Sequence, residues 1–154
     1  MTKKLFLVTV LLIVGLIGLY AESADYFTFT VGAGAGYDLV ADDITTELIF
    51  GVDYIFNEMF TGGFKFLQLA TTDVTAMNFS AEIIDNAAVS IYTGVDSGSN
   101  LAFGLGFSYD FLTRKDVIFS SMGLYIDWLA GDGGSLAIAD GGVILMGFRT
   151  KFGI

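Results

Sequence analysis

Large apolar side chains recur at every second position along most of this chain. From residue 101 to 111, Leu101, Phe103, Leu105, Phe107, Tyr109 and Phe111 alternate with Ala102, Gly104, Gly106, Ser108 and Asp110. A period of two puts the first set on one face of an extended strand and the second set on the other. A helix would scatter both sets around its circumference, and Gly104 and Gly106 would each weaken it by about 1 kcal/mol. The same alternation predicts strands over 26–38, 45–56, 60–70, 75–84, 88–96, 101–111, 117–128 and 142–154. In the third, the phase slips near Leu67, which predicts a bulge there. The stretches between them, such as 57–59, 85–87 and 97–100, carry the Asp, Asn, Gly and Ser of tight turns. The longest, 130–140, contains Leu136 and Ile138, which suits a segment folded over a mouth or drawn out as a hairpin.

Residues 1–21 follow a different pattern. Lys3 and Lys4 precede a largely apolar run from Leu5 to Leu19, and Ala21 is a small residue at a cleavage point. The run is shorter than the roughly 20 residues of a spanning helix. The segment therefore reads as a cleaved secretory signal peptide, with an uncleaved anchor as the alternative. Residues 22–154 form one domain, since no linker or change of composition divides them.

The side that the large residues face decides the class. The charges share a face with the glycines. Eight rows of Phe, Leu, Ile, Val and Tyr cannot fit inside a small barrel, but turned outward they form a continuous apolar belt suited to lipid. An open sheet in lipid would leave edge groups unpaired, so the sheet closes. The fold expected is all-β: a closed eight-stranded antiparallel up-and-down transmembrane β-barrel, preceded by a signal peptide. A soluble lipocalin-like barrel with an apolar pocket is the competing fold, and it would need a polar exterior. Phe27, Tyr54, Phe56, Phe60, Tyr109 and Phe152 fall near one end, and Tyr37 and Trp128 near the other, as interfacial aromatic girdles do.

Composition narrows the function. Hydrophobic residues make up 54% of the 154 and charged residues 16%, against about 25% charged in an average soluble domain. A formal charge of −10 argues against a nucleic-acid partner. With no His and no Cys, the usual nucleophile–base pairs are missing, so the chain reads as non-enzymatic, without cofactor or metal. The VGAGAG at 31–36 lacks the spacing and the following helix of a dinucleotide loop, and alternating inward glycines account for it.

The inward face carries the candidate site. Asp38, Glu47, Asp53, Glu82, Asp96, Asp110 and Asp127 fall on it, opposed by Lys65, Arg149 and Lys151. A turn near 57–59 would set Asp53 diagonal to Lys65. A turn near 71–73 would bring Glu82 toward it as well. The lumen charge cluster is thus Asp53, Lys65, Glu82, Asp127, Arg149 and Lys151, with Tyr92, Phe119 and Tyr125 filling the space that glycines leave. Two readings follow: an ion-pair plug that fills the barrel, or an acidic passage that prefers cations.

The leader, the eight amphipathic strands and the final strand resemble the small eight-stranded outer-membrane barrels of diderm bacteria, of the OmpA/OmpX or OmpW type. Those families carry an assembly signal in the last strand. Met146, Gly147, Phe148 and Phe152 match it, although Thr150 stands where an apolar residue is usual. The resemblance implies export to the outer membrane, contact with its lipid, and handling by periplasmic chaperones and the barrel-assembly machinery. It implies a structural or surface-interaction role, or alternatively an OmpW-like narrow channel passing small or apolar solutes.

Overall fold

The computed structural model describes residues 27–57, 59–113 and 119–153; the segment read as a signal peptide lies outside them. Eight strands follow in order: β1 (Phe27–Asp38), β2 (Asp43–Ile55), β3 (Phe60–Leu69), β4 (Asp73–Ile84), β5 (Ala87–Asp96), β6 (Leu101–Thr113), β7 (Phe119–Gly131) and β8 (Val143–Gly153). Each pairs antiparallel with the next, and β8 pairs with β1 to close an up-and-down barrel. The expected strands start and stop within a few residues of the observed ones. Turns tighten where the sequence supplies short polar residues: Asp42, Asn86 and Ser99 take φ of 54°, 66° and 68°, a region that Asp and Asn tolerate better than most residues.

Closure leaves two faces, and the large residues take the outer one. Phe107 is 43% exposed, Ile91 56% and Phe148 61%, whereas their neighbours Ser108, Tyr92 and Arg149 are buried. Aromatic rings group on this outer wall near the start of β1. Phe27, Tyr54 and Phe56 meet edge to face in succession at 5.1 Å, and Phe60 stacks on Phe79 at 5.6 Å.

The bulge expected near Leu67 is absent. β3 pairs with β2 without a break from Leu69 opposite Glu47 to Thr61 opposite Ile55, and Leu67 and Leu69 point inward in phase with Lys65. The apparent slip came from assuming a polar interior, and here the interior is apolar. The register shifts lie elsewhere, between Glu82 and Ile84, Asp110 and Leu112, and Phe119 and Ser121. All three sit toward the end where β1 starts, called the lower end below. The upper end carries the connections 39–42, 70–72, 97–100 and 132–142.

The lumen divides accordingly. Its upper half is packed with Ile49, Leu67, Val74, Leu129, Val143 and Leu145, all at most 2% exposed. Leu136 joins them at 0% exposed. It arrives from the long connection, which forms two short 3-10 turns, Gly134–Leu136 and Ile138–Asp140. The connection therefore folds over the mouth rather than extending as a hairpin. The Trp128 indole N–H donates to the Gly141 carbonyl at 2.8 Å and pins it, while Ile138 stays exposed. Below them the lumen is more polar and holds most of the candidate site, although Glu47 lies nearer the upper end of β2 than Ile49 does.

Candidate functional site

Glycines on the inner wall determine which polar side chains meet. Along one row of paired residues, Tyr125 on β7 faces Gly147 on β8, Gly147 faces Gly34 on β1, and Gly34 faces Glu47 on β2. With no side chain at the two middle positions, the Tyr125 ring spans them, and its hydroxyl donates to Glu47 Oε2 at 2.6 Å. A Cβ on Gly147 would come within 2.7 Å of that hydroxyl. Gly34 is thus the glycine of the VGAGAG run on which this contact depends.

A second tyrosine works the same way. Tyr92 on β5 lies against Gly104 and Gly106 on β6, and its hydroxyl donates to Asp127 on β7 at 3.1 Å. The same oxygen accepts from Lys65 Nζ at 3.4 Å, and that ammonium stands 5.0 Å from the Tyr92 ring centre. Lys65, Tyr92 and Asp127 therefore form one buried chain of contacts.

The cations of β8 meet a different acid. Asp110 on β6 faces Gly123 on β7, which in turn faces Arg149 on β8. Across that glycine, Asp110 accepts from Arg149 at 3.3 Å, from Lys151 at 2.8 Å and from Ser121 at 3.1 Å. Asp110 is the hub that the candidate cluster lacked. Its alternation marked it as inward, but only the register of two successive strand pairs brings it to Arg149. Asn78 was missed in the same way: its amide donates to Asp53 Oδ1 at 2.8 Å, and Thr30 donates to Oδ2 at 3.4 Å.

The remaining expected residues are placed as follows. Lys65 faces Gly51, two pairs along from Asp53 opposite Gly63, so the diagonal relation exists. Lys65 does not stand between Asp53 and Glu82. β4 sets Ala76 opposite Lys65, which carries Glu82 down to the lower rim, where it is exposed and accepts from the Asn86 N–H at 2.8 Å. The Phe119 side chain lies outside what is described, although its backbone pairs with Phe152. In β8, Met146 and Phe148 face outward, 58% and 61% exposed. Gly147 lies under Tyr125, and Phe152 also pairs with Phe29 of β1.

Among these side chains lies a cavity of about 70 Å³. Asp53, Lys65 and Arg149 line it from inside, and Met59, Glu82, Ala88 and Lys151 from the rim.

Solved structures similar to the chain include two designed proteins. One is described as "De novo design of transmembrane beta-barrels", with 11% identity, 84% of this chain and 98% of that chain covered, and a TM-score of 0.47. The other is the solution NMR structure of the de novo designed TMB2.3, with 12% identity, 87% and 98% covered, and a TM-score of 0.47. No family model matches the chain, and no curated protein does.

Proposed function

We propose that the protein is a small barrel of the outer membrane of a diderm bacterium, of OmpA/OmpX-like or OmpW-like architecture, with a structural or surface-interaction role. The apolar outer wall supports the membrane reading. Rows of exposed Phe, Leu, Ile and Met run around the barrel; soluble monomers rarely expose so continuous an apolar surface, whereas acyl chains would cover it. Residues 1–21 serve in this account as the export signal. Met146, Gly147, Phe148 and Phe152 serve as the strand read by the assembly machinery after periplasmic chaperones deliver the chain. The protein is non-enzymatic and takes no cofactor.

The observation that favours a structural role over conduction is the upper lumen. Leu67, Leu129, Leu136, Val143 and Leu145 are 0% exposed there, and this apolar packing supports a lumen closed to water. An eight-stranded barrel has room for little beyond its own side chains. The test is conductance in planar bilayers. Purified, refolded protein gives no discrete steps in this account; reproducible steps would overturn it in favour of the narrow channel for small or apolar solutes.

A further inference from the structure

Three of the residues lining the lower cavity are cationic, and between them they hold more donors than the barrel fills. Lys65 is 5% exposed. Its hydrogen bond is to the Tyr92 hydroxyl at 3.4 Å, and among the described residues no carboxylate lies within 4.0 Å of its ammonium. An ammonium carries three donors and a guanidinium five. Arg149, 7% exposed, reaches Asp110 through one terminal nitrogen, while its Nε is buried without a partner. Lys151, half-exposed at the rim, completes the set.

Two acids share the lining, Asp53 and Glu82, and each accepts from donors other than the three cations. Both Asp53 oxygens accept from Asn78 and Thr30. Glu82 turns to the Asn86 N–H. Asp110, outside the lining, pairs with Arg149 and Lys151 but leaves Arg149 Nε without a partner. A buried donor with no acceptor pays its full desolvation, so an acceptor-rich guest is favoured at this spot. The space is small. At about 70 Å³, and with roughly 10–15 Å³ needed per water, it admits a few waters or one compact ion, but no extended molecule.

We propose that the cavity is a binding site for a small tetrahedral oxyanion, phosphate or sulfate, held by Lys65, Arg149 and Lys151. The planar fork of Arg149 suits two oxygens of such an ion. Lys65 supplies a second charge from the opposite wall, and Lys151 closes the lower side. A phosphate could instead belong to a lipid headgroup, and the cavity volume favours the free ion.

The test is a phosphorus NMR titration of inorganic phosphate with the full-length barrel, refolded in a sugar-headgroup detergent and held at constant ionic strength. Wild type shifts the phosphate signal saturably, and sulfate reverses the shift. Lys65→Met and Lys151→Gln each weaken binding about tenfold, the loss of one charge-assisted hydrogen bond. Lys151 lies at the rim, so Lys151→Gln remains informative where Lys65→Met does not fold. Three results would overturn the proposal: no saturable shift with folded wild type, affinities unchanged in Lys151→Gln, or competition by glycerol 3-phosphate as strong as that by sulfate. The last would assign the chemistry to a lipid headgroup.

Discussion

The Tyr125 hydroxyl donates to Glu47 at 2.6 Å, although the residues lie 78 positions apart. Two strands separate them around the barrel, and the ring crosses both over Gly147 and Gly34. Glu47 is 2% exposed, and its other oxygen has no partner, so Tyr125 supplies the donor that this carboxyl has. Tyr125→Phe is expected to destabilise the barrel by about 1–3 kcal/mol, the penalty for an unsatisfied buried polar group. Urea unfolding of protein refolded in detergent measures it. The double variant with Glu47→Leu should lose less than the two single losses together. Additive losses would mean that the pair does not interact.

The same row makes a glycine prediction. A Cβ on Gly34 would meet the Tyr125 hydroxyl and approach the Met146 carbonyl oxygen to 2.6 Å, whereas one on Gly153 meets nothing within 4 Å. Gly34→Ala should cost about 1–3 kcal/mol through overpacking, and Gly153→Ala should be nearly neutral. Equal effects in the same unfolding assay would contradict the crossing of Tyr125 over β1.

The upper plug gives a third. Leu136 is fully buried although it sits in a connection between strands. Leu136→Ala should cost about 2–5 kcal/mol, the range for a large side chain removed from a packed core. Ile138→Ala, two residues on and exposed, should be close to neutral. A neutral Leu136→Ala would show that the connection does not close the mouth.

The outer wall gives a fourth. Leu105, outward on β6 with its neighbours on the same face all apolar, should tolerate Arg poorly. Leu105→Arg is expected to cost about 2–4 kcal/mol if this position lies near the bilayer midplane, read as a lower denaturation midpoint in lipid vesicles. The same substitution should cost little for a barrel standing in water.

Period-two alternation made most of the fold legible, because a strand reports its two faces directly. Leu101 to Phe111 is the plainest case, and all eight strands were read from it. β3 misled because Leu67 and Leu69 are inward and apolar; alternation reveals a face only when the two sides differ in polarity. The site was legible in kind but not in its pairings. Asp110, Arg149 and Lys151 could each be assigned to the inner wall. That they meet depends on the β6–β7 and β7–β8 registers with Gly123 between, and register follows from strand pairing across the barrel rather than from either sequence segment. Glu82 shows the converse: its inward phase was readable, but its height at the lower rim was not.

The central claim is that lipid covers the outer wall, and the absence of cysteine from the chain makes a direct test simple. Spin labels placed singly at Leu105→Cys and at Ser97→Cys, in protein reconstituted into vesicles, are compared for collision with oxygen and with a water-soluble nickel complex. The label at 105 should be open to oxygen and shielded from nickel, and the label at 97 the reverse. A label at 105 that collides freely with nickel, or with neither reagent, would contradict the account.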